Sequence, residues 1–476
     1  MRYMTRTKIV CTIGPSVASH EKMVELIQAG MNVARLNFSH GEHREHQKNI
    51  DNLKKARAHM NCPLAIMLDT QGPEIRLGKI EDPGIAVSAK EKVRLDSRMH
   101  SSMKTIPFPN TAIFGVLRPG MKVLFDDGYI TAEVVSVAHD HAIVQIQNSG
   151  VLKSHKKMNI PSVHIPLPVM SEKDKQDLRF GCINDVEFIA LSFVCSPNDV
   201  LMAKEFLAKQ GKPDILVIAK IESALGVENF DRIVEVADGI MIARGDLGVE
   251  IDLALVPKYQ KMMIRKCFQA CKPSITATQM LESMIVNPRP TRAEASDVAN
   301  AVYDCTSCIM LSGETAIGKY PIETVQRMRS IAEASESDIN YREFFEKNSF
   351  FNAEDISSAV AIAAIKTAYN LSAKAIFAFT ASGTTARFAS RLRPQMPIIA
   401  ITPNVQVYHQ LALDWGIIPF LCKEYSNLKE AFKAAARFAL EKKILSIGDM
   451  GVITAGAPFG QKGTTSMMMV EKILEL

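Results

Sequence analysis

No run in this sequence is long and apolar enough to cross a membrane, and residues 1–8 lack the apolar core of a secretion signal. The chain is therefore expected to be soluble, unexported and cytoplasmic. A long basic block is also missing, and a net charge of +5 is small for 476 residues, so nucleic-acid binding has no support. Nor do the nine cysteines show disulfide-like spacing; scattered and odd in number, they read as reduced, mostly buried thiols. Cys305 and Cys308 form a lone C-x-x-C with no second pair, and packing is their expected role. No Ser–His–Asp arrangement or cysteine nucleophile is apparent. What is present is an ordinary globular composition, 47% apolar and 22% charged, long enough for about two to four domains. The mild positive balance is compatible with an electropositive cleft for anionic substrates.

Short β-rich runs alternate with helix-like segments from the start. Residues 8–13, 31–38 and 64–68 read as strands, with helices over 19–28 (capped by Ser19, stopped by Gly30) and 42–59. Between about 72 and 168 the rhythm breaks. Prolines, glycines, turns such as Asp126-Asp127-Gly128 and short alternating runs at 121–124, 130–137 and 141–146 predict an inserted β module, a small barrel or sandwich. Alternation then resumes, with strands at 186–193, 215–222, 239–243, 274–278 and 308–312 and helices over 172–180, 199–209, 229–236, 257–270 and 291–302. Eight β/α units predict a (β/α)8 barrel interrupted after its third strand. Residues 335–355 are polar and poorly periodic, a boundary. Helices over 356–369 and 384–391 and strands at 375–379, 398–401, 417–421 and 451–454 predict a separate C-terminal α/β domain. The expected division is 1–71 and 167–338 for the barrel, 72–166 for the insert and 339–476 for the last domain.

A barrel of this kind works at the C-terminal ends of its strands, and polar residues collect there. The second strand ends in Arg35, Asn37 and Ser39, the third in Asp69 and Thr70, the fourth in Ser192, the fifth in Lys220 and Glu222. Asp246 follows the sixth, Thr276 and Thr278 close the seventh, and Ser312 and Glu314 the eighth. Lys220 and Glu222 sit at i and i+2, so an extended strand turns both to one face. Charges there are costly to bury unless paired or bound to a metal. Glu222 and Asp246 are hard oxygen ligands, too few for a calcium cage but suited to magnesium or manganese completed by substrate and water. Arg35, Arg244 and Lys220 can neutralise phosphate or carboxylate oxygens, and His40 reads as a loop neighbour. Metal, positive clamps and a lysine fit phosphoryl transfer or stabilisation of an enolate beside a carboxylate.

Seven motifs then bring out a resemblance: Arg-Leu-Asn-Phe-Ser-His-Gly at 35–41, Leu-Asp-Thr-Gln-Gly-Pro-Glu-Ile-Arg at 68–76, Ala-Lys-Ile-Glu at 219–222, Ala-Arg-Gly-Asp-Leu-Gly at 243–248, Ala-Thr-Gln-Met-Leu-Glu-Ser-Met at 277–284, Pro-Thr-Arg-Ala-Glu at 290–294 and Met-Leu-Ser-Gly-Glu-Thr-Ala at 310–316. In this order, over essentially the whole chain, they closely resemble the pyruvate kinase family. The resemblance implies a barrel with an inserted small β-barrel lid and a C-terminal α/β domain, and conversion of phosphoenolpyruvate and ADP to pyruvate and ATP. It implies Mg2+ or Mn2+ on Glu222 and Asp246, Lys220 and Arg35 on the phosphoryl group, and Thr278 on the path of the proton to carbon. Gly245 and Asp246 would meet the substrate carboxylate, and Asn37, His40, Arg76 and Lys156 the nucleotide. Asn37, Ser39, Asp69 and Thr70 would hold K+; Glu74 agrees, since family members with lysine there dispense with potassium. The loop with Thr380, Ser382, Gly383, Thr384 and Thr385 would take a phosphorylated effector at a helix start, with residues 454–460 as its flexible neighbour. A homotetramer is implied, and no C-terminal phosphotransfer-like module is expected after Leu476. Departures from the family pattern are Gln71 for lysine, Lys157 for a glycine in the lid loop, Cys195 for arginine, and Cys305 and Ser307 for a glycine and an aspartate. A lyase acting through a pyruvate enolate and a non-catalytic phosphate sensor are the alternative readings.

Overall fold

Eight short runs of apolar residues pair side by side into a closed, all-parallel barrel in the computed structural model, which describes residues 5–98, 103–161, 168–349, 355–422, 427–456 and 465–474. The strands are Lys8–Thr12, Val33–Asn37, Ala65–Asp69, Phe188–Leu191, Leu216–Ile221, Gly239–Ala243, Ser274–Ala277 and Cys308–Leu311. Side chains alternate in and out along each strand. Val10, Val33, Met67, Phe188, Ile218, Met241, Ile275 and Met310 fill the interior, while a larger outer layer including Ile9, Leu36, Ile66, Ile189, Val217 and Ile309 packs against the helices. Those helices begin where short polar side chains satisfy free backbone N–H groups: Ser171 with Asp174, and Thr291 with Glu294, each form a reciprocal cap. The eighth unit is completed by helix Pro321–Asp338, which opens on a proline whose missing N–H costs nothing there.

The insert is β-rich and has its own core. A six-stranded sheet and a two-stranded ribbon, Ile85–Val87 with Gly150–Leu152, enclose Val93, Leu95, Phe108, Phe125, Val134 and Val144. The C-terminal domain is a five-stranded sheet in the spatial order Ile417–Leu421, Ile398–Thr402, Ala375–Phe379, Met450–Ala455 and Met467–Lys472, only the last strand antiparallel.

Three elements depart from expectation. The polar stretch 335–355 contains a helix, Tyr341–Asn348, held by Tyr341 and Phe345 one turn apart on its buried side. The edge strand Met467–Lys472 was not expected, because a half-exposed Met-Met-Met-Val run lacks a β-branched alternation. The sixth strand ends at Ala243 as expected, but the Arg244-Gly245-Asp246 that follows it forms the first turn of a short helix, Arg244–Glu250, which was not expected. Of residues 454–460, Thr454 and Ala455 belong to a strand and 457–460 lie outside the described residues. No helix among the described residues is long and apolar enough to cross a membrane.

The C-terminal domain closes the floor of the barrel. Ala412 and Leu413 enter the barrel's inner core. Lys8 Nζ donates to Ile417 O at 2.8 Å, the Cys308 thiol to Leu413 O at 3.0 Å, and Leu64 N to His409 Nδ1 at 3.3 Å. All nine cysteines are unpaired. His409 is 7% exposed, and burial, with Arg57 adding to it, depresses its pKa from 6.5 to about 3. The unfolded chain thus takes up a proton below pH 6.5 that the folded chain refuses until about pH 3. Stability should fall across that window, by up to about 1.4 kcal/mol per pH unit from this group. His409→Gln keeps an acceptor for Leu64 without the titration. Urea midpoints measured from pH 7 to pH 4 should decline less steeply for His409→Gln than for the parent; parallel curves would remove the histidine from the acid sensitivity.

Candidate active site

The barrel's closure sets the ends of neighbouring strands side by side. Thr12 lies opposite Arg35, Asn37 opposite Asp69, and Lys220 opposite Met241. At this rim Lys220 is surrounded: Nζ is 2.9 Å from Asp69 Oδ1, 3.0 Å from Glu222 Oε1, and donates to Ser192 Oγ at 2.7 Å. Arg35 takes the other oxygen of Asp69 at 2.5 Å and donates to Thr12 Oγ1 at 2.9 Å. Glu222 Oε2 accepts from the Phe193 N–H at 2.7 Å, and Phe193 adopts a positive φ of 54° to make that contact. Two cations and two carboxylates are thus buried together, each from a different strand end except Lys220 and Glu222.

Electrostatics follow from that packing. Burial alone would depress Lys220, but Asp69 and Glu222 outweigh it and hold its pKa above the ordinary lysine value. Burial would likewise raise Asp69, yet Arg35 and Lys220 hold it below the usual aspartate range. Glu222 goes the other way: burial, with Asp246 and Asp69 nearby, raises it against the pull of Lys220. A divalent cation would relieve that strain, and two adjacent carboxylates with hard oxygens fit one.

On the opposite side of the rim, Thr278 has φ +66°, a strained conformation for a β-branched residue. Its hydroxyl donates to Ala277 O at 2.6 Å and accepts from Gly245 N–H at 2.8 Å. Arg244 holds this turn: it donates to Thr278 O at 2.6 Å and Ala277 O at 3.2 Å while pairing with Asp297 at 2.7 Å. Arg244 was expected among the groups that neutralise substrate oxygens; it is instead committed to shaping the seventh-strand loop. Thr276 also leaves the site, since its hydroxyl donates to Thr306 Oγ1 at 2.9 Å in the barrel interior. Glu314 is buried and pins loops, accepting from Leu281 N and Ser312 N at 3.2 and 2.7 Å.

The inserted module reaches the same rim with a different lysine from the one singled out. Lys156 pairs with Asp126 of its own module at 2.7 Å. Lys157 instead places Nζ 2.6 Å from Glu74 and 3.1 Å from Asp246. Burial would lower its pKa, but Asp246 and Glu74 reverse the sign and raise it. Arg76 lies 2.5 Å from Glu74 and donates to His155 O at 2.9 Å. Of the oxygen group Asn37, Ser39, Asp69 and Thr70, Asn37 Oδ1 accepts from Ser39 N–H at 3.1 Å, and Thr70 Oγ1 accepts from Ser192 N–H at 3.1 Å. Both oxygens of Asp69 already serve Arg35 and Lys220. His40 is exposed, its carbonyl accepting from His46 at 2.9 Å.

In the C-terminal domain, Gly383 (φ +90°) precedes helix Thr384–Arg391 and donates its N–H to Thr380 Oγ1 at 2.8 Å. Ser382 and Thr384 hydroxyls lie 3.0 Å apart, and Thr385 meets Thr465 at 2.7 Å.

Comparison with known proteins places these features in context. Residues 4–325 match the family described as pyruvate kinase, barrel domain, and residues 358–471 match pyruvate kinase, alpha/beta domain. A pyruvate kinase from Clostridium acetobutylicum is 42% identical over 472 residues, covering 99% of this chain and all of its own. One from Chlamydia muridarum is 46% identical over 478 residues, covering 99% of each. A crystal structure of a pyruvate kinase from Cryptosporidium parvum superposes with a TM-score of 0.94 at 35% identity, covering 99% of this chain and 96% of that one.

Proposed function

The chain belongs to the pyruvate kinase family, and from that premise we infer how its own residues carry the reaction. It is a phosphotransferase: the phosphoryl group of phosphoenolpyruvate passes to ADP, giving pyruvate and ATP. A terminal oxygen of ADP attacks phosphorus, the bond from phosphorus to the enol oxygen breaks, and the electron pair stays on that oxygen until a proton reaches carbon.

The observation that carries the assignment is the buried ammonium of Lys220, held within 3.0 Å of Asp69, Glu222 and Ser192. A cation fixed there in advance meets negative charge as it grows on the enol oxygen, without the reorganisation water would require. Arg35, oriented by Asp69 and Thr12, takes phosphate oxygens. Glu222 and Asp246 would hold Mg2+ or Mn2+, which when bound supplies Lewis-acid stabilisation of substrate oxygens. Gly245 and Asp246, at the start of a short helix, border the place for the substrate carboxylate. The Thr278 hydroxyl lies beside them and passes a proton toward carbon through water, being too weak an acid alone.

Asn37, His40 and Arg76 line the nucleotide's approach, Lys156 would join them only on leaving its Asp126 partner, and residues 72–166 act as a lid that keeps water from the phosphoryl group. Asn37, Ser39, Asp69 and Thr70 offer oxygens only, which suits K+; Asp69 would share its carboxylate between that ion and its two protein cations. The loop of Thr380, Ser382, Gly383, Thr384 and Thr385 takes a phosphorylated effector. A cytoplasmic homotetramer completes the reading, with domain limits at 1–71, 72–166, 167–338 and 339–476.

Lys220→Met should cost about 3–5 kcal/mol of transition-state stabilisation, measured as kcat/KM in a coupled pyruvate assay. Normal turnover by that variant removes the lysine from the mechanism. Pyruvate should appear from phosphoenolpyruvate only when ADP is supplied; release without a nucleotide would favour a lyase or phosphatase. Replacing K+ by choline at constant ionic strength should lower activity strongly, and full turnover in choline would dispose of the monovalent site.

A further inference from the structure

Two groups of the insert touch the short helix Arg244–Glu250. Asn159 Nδ2 donates to Glu250 Oε1 at 2.9 Å, near the helix's end. Lys157 Nζ meets Asp246 Oδ1 at 3.1 Å in its first turn, and the same ammonium is 2.6 Å from Glu74. The Lys157 backbone is fixed by a bridge to Arg76, and Nζ lies 6.0 Å from the centre of the Phe193 ring, whose N–H holds Glu222. This lysine therefore stands between the lid and the two carboxylates assigned above to the divalent ion.

We propose that Lys157 is a positioning residue that clamps the lid onto Asp246 when no divalent cation is bound, and is displaced when one enters. The inference rests on the assignment of Asp246 as a metal ligand. Its physical basis is competition for one carboxylate. An ammonium and a divalent ion on the same oxygen repel each other strongly in a partly buried site. Glu74 gives the displaced ammonium a second anchor at the rim, so the lid loses one of its two ties to the helix while the lysine stays near the site. Until a metal enters, the lysine serves as a counter-ion that keeps Asp246 in place.

The test uses the full-length protein and Mn2+ alone, with free ion counted by its paramagnetic resonance and lid mobility followed by amide hydrogen exchange. Lys157→Met should bind Mn2+ about tenfold more tightly than the parent. Its amides at 155–160 and 244–250 should exchange faster without metal. In the parent, Mn2+ should speed exchange at those amides; in Lys157→Met it should change them little. Lys157→Arg should restore the parent pattern. Asp246→Asn should bind Mn2+ much more weakly in either background. Retained Mn2+ affinity in Asp246→Asn would overturn the metal assignment on which the inference rests. Loss of binding in Asp246→Asn, with unchanged Mn2+ affinity and exchange in Lys157→Met, would overturn the role of Lys157 alone.

Discussion

The structure depends on a buried cluster of opposite charges in which Lys220 and Arg35 share Asp69 and Lys220 also holds Glu222. Taking these groups from water is expensive, and none would tolerate the site unpaired. They come from the second, third and fifth strands, so no local segment can assemble them; closure of the barrel does. The apolar interior beneath, from Phe188, Met67, Ile218 and Met241, fixes the strands in register and drives closure. The fold supplies the stability, and the rim uses part of it to hold four charged groups together out of water.

Rigidity at the rim comes from hydrogen bonds that are costly to leave unmade. Ser192 Oγ accepts a hydrogen bond from the Lys220 ammonium at one side and donates to Thr70 O at 2.6 Å at the other, so the ammonium's direction is set by the third and fourth strands. Phe193 and Thr278 both stand at positive φ beside carboxylate and hydroxyl groups of the site. Such backbone strain persists only where neighbours over-determine it. For Thr278 the neighbour is Arg244, which gathers the two carbonyls of the turn while Asp297 balances its charge.

Much of this was legible in the sequence, for a physical reason. Polar residues that interrupt apolar, strand-length runs are conspicuous, and Arg35, Asp69, Lys220 and Glu222 all do so; the structure brings them within direct contact. The same logic erred wherever a polar residue serves the barrel itself. Thr276 looks like Thr278 in sequence, but its register points it at Thr306. Arg244 resembles a substrate clamp until its partners are seen to be two backbone carbonyls and Asp297. Lys157 was hidden in the basic run His155-Lys156-Lys157, since which of two adjacent lysines faces the site depends on strand pairing against a segment far away in the chain. Helix Tyr341–Asn348 was hidden because only two of its eight residues are buried, too few for a periodicity to stand out.

A path of direct contacts joins the loop at Thr380–Thr385 to the catalytic barrel. Arg387, one turn into the helix, donates to Ser382 O at 3.2 Å and to Asp414 Oδ2 at 3.1 Å. The residue before Asp414 is Leu413, which lies in the barrel's inner core and accepts from Cys308 at the base of the eighth strand. Asp414 is buried, so burial raises its pKa even with Arg387 and Lys8 drawing it down. The C-terminal domain is therefore part of the barrel's floor rather than an appendage, packed through Leu413 and Ile417 against the same strands that carry the charged rim at their other ends.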